Sequence, residues 1–232
     1  MDFLDLAQQC APTVHPHTLA AIVKTESGFK PFAIGVNKGG AQLTRQPTTK
    51  AEAVATAKDL IGRGLNIDMG LGQINSENLA RLGYSVEDVF DVCKNLSAAA
   101  LILQDGFTRA SVKEGASQQA LMKALSAYNT GDFARGVKNG YVQKVSTNGI
   151  KIAQGYAVPA IQLDPKDVAP SPAASDTQPA KATVAAPQPG ASAKSKTTPK
   201  PPAAGSTTTD PSMVFGTPPA GEDEEAAQAL VF

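Results

Sequence analysis

A mainly α-helical domain with a small β hairpin, followed by a disordered Pro- and Ala-rich tail, is the architecture this sequence predicts. Three observations carry that expectation. Apolar residues recur at helical spacing in several short segments parted by turn signals; the stretch from Pro31 to Pro47 has no such period and is rich in Gly; and composition changes sharply near residue 157. Residues 157–232 hold 13 of the 17 prolines, no Tyr and two Phe, too few bulky side chains to offset the entropy of ordering. The expected boundaries are a folded domain over 1–156 and a disordered tail over 157–232.

In order along the domain, Leu19, Ile22, Val23 and Glu26 share one helical face, so a helix is expected from about His17 to Thr25 or Glu26, closed by Ser27-Gly28. Between Pro31 and Pro47, Gly35, Asn37, Gly39 and Gly40 interleave with Phe32, Ile34, Val36 and Leu43, which predicts a small hairpin or tongue. Thr49 with Glu52 three residues on is a capping-box pattern, and Val54, Ala55, Lys58 and Ile61 carry that helix to Gly62 or Gly64. Asn75 or Ser76 opens a short helix that stops at Gly83, and Ser85 caps another with Asp88 at its third position. Longer helices are expected from Asn95 to Asp105 and from Ser117 to Tyr128, the latter with Leu121, Leu125 and Tyr128 on one stripe. Asn139-Gly140 marks a turn, and Tyr141, Val145 and Ile152 suggest a last helix ending before Gly155.

Charge narrows the function classes. The domain carries 16 basic and 13 acidic residues and the tail 5 and 8, with no concentrated basic stripe of the kind that binds nucleic acid. No run approaches the ~20 apolar residues a membrane span requires. The start, Met1 to Leu6, has acids where a signal peptide has its apolar core, so as it stands it is not one; the chain is either mature or retained inside. The tail's acidic run, Glu222 to Glu225, reads as part of a solvated spacer, with the terminal Ala-Leu-Val-Phe as a short docking segment in the second reading.

Signatures for phosphate, dinucleotide and serine-nucleophile chemistry are absent. His15 and His17 flank a proline ahead of a helix and read as a helix entry; with no third ligand they predict no metal site, and no cofactor is called for. Cys10 and Cys93 lie outside any Cys-x-x-Cys pattern, and their spacing alone leaves two readings, a disulfide or two buried thiols. Glu26 stands out because it extends an apolar stripe. A carboxyl there is partly desolvated and held protonated toward neutrality, as a general acid must be; the plainer reading turns it to solvent at a frayed helix end. Gly70-Leu71-Gly72-Gln73-Ile74-Asn75 is a glycine-flanked strand or turn offering an amide and close backbone approach, and Ala127-Tyr128-Asn129-Thr130-Gly131 ends a helix with a phenol and an amide.

Taken in order, Glu26-Ser27-Gly28-Phe29, Gly70-Leu71-Gly72-Gln73 and Ala127-Tyr128-Asn129-Thr130-Gly131 resemble the three motifs of the soluble lytic transglycosylases, over about Cys10 to Ile152. Ala33 to Asn37 and Arg45-Gln46-Pro47 further resemble the VirB-type subgroup that serves type IV secretion systems, whose members often carry a Pro-rich tail. The resemblance implies a goose-lysozyme-like α+β fold and a peptidoglycan strand as substrate. It implies Glu26 as the catalytic acid, with Ser27, Gly70, Gln73, Tyr128 and Asn129 as substrate-binding residues, Tyr128 orienting Glu26 and Asn129 holding its turn. It also implies a Cys10–Cys93 disulfide, a periplasmic or cell-envelope location in a Gram-negative bacterium, and a tail that meets other secretion components. Gly72 departs from the pattern, since many relatives have Met there. Two alternatives remain: a lysozyme-type hydrolase using Asp68 or Glu77 as the second carboxylate that hydrolysis ordinarily needs, and a non-catalytic peptidoglycan-binding assembly module.

Overall fold

The computed structural model describes residues 2–37 and 42–161. In chain order these form α1 (Phe3–Cys10), α2 (Pro16–Glu26), β1 (Ile34–Asn37), α3 (Lys50–Gly62), β2 (Asn66–Met69), β3 (Ile74–Asn75), a 3-10 turn (Ser76–Asn78), α4 (Leu79–Leu82), α5 (Val86–Val89), α6 (Val92–Glu114), α7 (Gln118–Thr130), α8 (Arg135–Lys138) and α9 (Tyr141–Ala153). The expectation of a mainly helical domain with a small sheet holds. Among the described residues no helix is long and apolar enough to cross a membrane.

α2 runs through the centre. The predicted stripe is one face, yet Thr18 to Val23 are fully buried one after another, because α1, α6 and α9 all pack against the helix and leave it no solvent side. His15 caps it, its Nδ1 accepting the His17 N–H at 3.3 Å. α1 was not expected, although Phe3, Leu6, Ala7 and Cys10 have the spacing of a buried face and Asp2 accepts the Asp5 N–H at 2.8 Å as its N-cap. The end of α1 is tied to the start of α6 by the Cys10–Cys93 disulfide, with Cα atoms 4.9 Å apart.

The sheet differs from the expected local hairpin. β1 pairs antiparallel with β2, Ile34 opposite Met69 and Asn37 opposite Asn66, and β2 with β3, so the whole of α3 lies between the first two strands. Residues 38–41 of the expected hairpin lie outside the described residues. Among the described residues the returning segment adds no strand on the other edge of β1; there the Gln46 amide accepts from Ile34 N–H at 2.8 Å and donates to Ile34 C=O at 3.0 Å. One side chain thus satisfies both backbone groups that a paired strand would.

Thr49 caps α3 as its pattern predicts, but the helix buries Ala53, Ala57 and Leu60 rather than the stripe read from Val54 and Ile61, which are half-buried. The Ser85–Asp88 capping box is present. α6 is far longer than the segment expected to end at Asp105. Gly106 does not stop it, because that glycine sits against α7, where an added Cβ would lie 3.3 Å from Ala124 Cα. The helix ends only at Gly115. After α9, Val158 and Ile161 still pack on the core, and the rest of the expected tail lies outside the described residues.

Candidate active site

Glu26 is the last residue of α2, where its side chain leaves the buried helix and enters a cleft of about 570 Å3. The cleft is walled by the sheet, by the segment from Glu77 to Arg81, by one face of α6 and by the C-terminal end of α7. Tyr141, the first residue of α9, donates its hydroxyl to Glu26 Oε1 at 2.5 Å. Burial pushes the Glu26 carboxyl from its ordinary 4.5 up to about 7; the Tyr141 hydrogen bond opposes this, nearby Asp68 adds to it and Lys144 opposes it. Its position at a helix C-terminus, the negative end of the dipole, works in the same direction as burial. The result is a carboxyl poised to hold a proton near neutrality and to release or regain it at modest cost.

Across the cleft, β2 and its neighbours set a second carboxyl in a cage of amides. Asp68 accepts from Asn37 Nδ2 and Asn75 Nδ2, each at 2.7 Å, and Asn66 joins both asparagines through bonds of 2.7 to 3.0 Å. Alternation along β2 explains the arrangement: Ile67 and Met69 point into the core, while Asn66 and Asp68 face the cleft. Burial raises the Asp68 carboxyl above the usual range against the pull of the two amides. Glu77, the other alternative second acid, is exposed at the cleft rim.

The β2–β3 turn is held from below by Asn95 of α6, which is buried. Its Nδ2 donates to Val89 C=O at 2.7 Å and Met69 C=O at 3.1 Å, while its Oδ1 accepts from Gly72 N–H at 2.7 Å. Gly70, at φ +75°, tolerates no side chain, since a Cβ would come within 2.2 Å of Asn95 Nδ2. Gly72 is equally constrained, for a Cβ there would stand 2.9 Å from the Tyr128 hydroxyl and from Ala99 Cβ. Tyr128 occupies that space and donates to Gly72 C=O at 2.7 Å.

The residues named from sequence divide into two groups. Glu26, Gln73, Tyr128 and Asn129 all line the cleft. Ser27 is buried, with its hydroxyl donating to Val23 C=O at 3.3 Å, and Gly70 is buried beneath the turn. Gln73 spends its amide nitrogen on Gly70 C=O at 2.8 Å and Ala33 C=O at 3.1 Å, and Asn129 Oδ1 accepts from Asn139 Nδ2 at 3.0 Å. The phenol bonded to Glu26 is that of Tyr141, whereas the Tyr128 hydroxyl goes to the turn, so the expected orienting contact is made by a different residue. Spacing carries no sign of this, because Tyr141 lies 115 positions from Glu26. Asn95 and the asparagines around Asp68 were also missed; the only signals were a polar residue at an interior helix position and the Asn66-x-Asp68 alternation. No group of three or more metal-ligating side chains occurs among the described residues.

A family model described as "Transglycosylase SLT domain" matches residues 4–150. The type IV secretion system protein virB1 of Brucella suis biovar 1 is 46% identical over 170 residues, which cover 70% of this chain and 71% of that protein. The protein of the same description from Brucella abortus biovar 1 is 49% identical over 149 residues, 62% of each chain. Protein virB1 of Agrobacterium fabrum is 38% identical over 176 residues, 76% of this chain and 69% of its own length. No solved structure gives a significant match.

Proposed function

This chain belongs to the transglycosylase SLT domain family, and from that premise we propose that Glu26 is the acid and then the base by which it cuts peptidoglycan strands. The protein is a lytic transglycosylase with a role in type IV secretion. Glu26 first gives its proton to the glycosidic oxygen between N-acetylmuramic acid and N-acetylglucosamine, and the C1–O bond breaks. Now a carboxylate, it takes the proton of the muramic C6 hydroxyl as that oxygen closes on C1. The product is a 1,6-anhydro sugar; Glu26 ends protonated as it began, and no water is consumed.

The observation that carries this reading is the Glu26 carboxyl, set in the cleft with a phenol bonded to it and its proton affinity raised to about 7. Tyr141 steadies the carboxylate stage, since its O–H bonds the charged form more strongly than the neutral one. Gln73 and Asn129 supply the glycan with amide oxygens or backbone groups at the cleft wall. With no Trp in the chain, sugar stacking falls to Tyr and Phe. Such chemistry belongs to the cell envelope, and we place the chain in the periplasm of a Gram-negative bacterium. The tail beyond the domain serves to meet other secretion components.

The test is product analysis on purified sacculi. Soluble fragments ending in the anhydro ring are expected from the wild type and none from Glu26→Gln; fragments ending in a reducing sugar would indicate hydrolysis and return Asp68 or Glu77 to the mechanism.

A further inference from the structure

The cleft continues past Glu26 into a part built by α4, α6 and the end of α7, for which the reaction itself has no use. Its floor on α6 is one helical face, Ile102, Asp105 and Arg109, spanning about 10 Å at 1.5 Å per residue. Arg81 of α4 reaches the same space. We propose that Arg81 and Arg109 form a subsite for a carboxylate carried on a side arm of the glycan, so that the chain selects acid-bearing strands over neutral β-1,4-linked ones. This rests on the peptidoglycan reading of the cleft.

Arg109 is oriented before any ligand arrives. Its Nε donates to Asp105 Oδ2 at 3.2 Å and its guanidinium lies 5.3 Å from the centre of the Phe133 ring. The ion pair engages only Nε and leaves the two terminal nitrogens, the edge that grips a carboxylate in bidentate fashion, for the cleft. Arg81 has one long contact, Nη2 to Asn78 Oδ1 at 3.4 Å, and makes no ion pair among the described residues. Such donors, mostly unspent and set in a concave site, differ from arginines scattered on a convex surface.

The remaining charges sharpen the selection. Asp105 is matched by Arg109, and Asp68 is enclosed by its asparagines. Glu77, exposed one turn before Arg81, makes no ion pair among the described residues and repels anions placed at random. The fork geometry therefore favours a carboxylate held in register by the sugar chain that bears it. Two sources have this chemistry in peptidoglycan: the lactyl group of muramic acid when its peptide has been removed, and the acids of the stem peptide.

Full-length Glu26→Gln protein, which binds without turnover, is titrated with three probes. These are chitotetraose, a peptidoglycan tetrasaccharide stripped of peptides by amidase, and the same tetrasaccharide with peptides attached. At least one acidic probe is expected to bind about tenfold or more tightly than chitotetraose, the stripped one if the lactyl carboxylate is read and only the peptide-bearing one if the stem is. Adding Arg81→Gln and Arg109→Gln should bring that affinity down to the chitotetraose level and leave chitotetraose binding unchanged. Equal binding of all three probes, or a preference that survives both substitutions, overturns the proposal. Sacculus cleavage by the wild type is scored separately: absence of anhydro products there would defeat the functional reading while the binding series still judges the subsite.

Discussion

Glu26 is a residue whose usefulness and instability have the same origin. Its carboxyl titrates near 7 in the fold against an ordinary 4.5 because the cleft wall and the end of α2 disfavour its charge. A raised acid pKa means that the native state binds more protons than the unfolded chain between those two values, so stability must fall as pH rises through that window and level off above 7. At about 1.4 kcal/mol per unit, the loss is roughly 3 kcal/mol. Glu26→Gln has no charge to bury; it should match the wild type below pH 4.5 and exceed it by about 1–3 kcal/mol at pH 8, as read by urea unfolding at the two pH values. The catalytic profile has its own sign. An acid that must be protonated loses activity above its pKa, so kcat/KM should decline as pH rises past about 7. Tyr141→Phe removes the hydrogen bond that favours the carboxylate, and the declining limb should move to higher pH, with a lower kcat from the weakened second step. An unmoved limb would show that the phenol does not act on Glu26.

At the scale of elements, the site depends on one turn and the helix beneath it. The β2–β3 turn brings Gly70 and Gln73 through left-handed backbone conformations, at φ +75° and +48°, and Asn95 of α6 answers three of its surrounding backbone groups. Asn95→Ala leaves two carbonyls and one N–H without their buried partner. A loss of about 2–4 kcal/mol is expected, with activity falling further than stability because Gly72 also positions Tyr128. Thermal unfolding alongside sacculus turnover at a temperature where the variant stays folded measures both. α2 shows a related dependence on its neighbours. A helix buried on every side makes a charged substitution costly anywhere along Leu19 to Val23, whereas the sequence pattern alone marks only three of its apolar positions as packed.

On the scale of the whole molecule, the disulfide and the contacts that follow α9 tie distant parts of the chain to the core. Cys10 and Cys93 close a loop of 83 positions, joining the first helix to the long sixth. At the other end, Val158 and Ile161, just past the boundary expected at 156, still lie against the core. A chain cut after 161 is expected to keep nearly full cleavage of purified sacculi and to support less cargo transfer in cells than the full chain at equal expression. Loss of cleavage by the folded 2–161 fragment would make the tail part of the enzyme, and equal transfer by both forms would make it a spacer. Cutting after 156 should cost some stability as well, because it exposes the apolar surface those two side chains cover.

Much of the architecture was written in local signals: helix starts at His15, Thr49, Ser85 and Ser117, stops at Gly83 and Gly131, and the three motifs around Glu26, Gly70 and Tyr128. These are legible because a cap or a helical stripe is an interaction among residues within about four positions of one another. The amino-acid order by itself determined the helical class, the family and the candidate acid. Spacing alone left open whether Cys10 and Cys93 pair, the family resemblance implied the disulfide that the structure shows, and the local pattern misjudged where β1 finds its partner. Only the tertiary structure decided that β1 pairs across α3, that Tyr141 rather than Tyr128 bonds Glu26, and that Asn37 and Asn75 both bond Asp68. Those contacts join elements far apart in the chain. Their energies, and the proton affinity of Glu26 with them, come from burial against distant neighbours, a quantity that exists only once the helices and the sheet have packed.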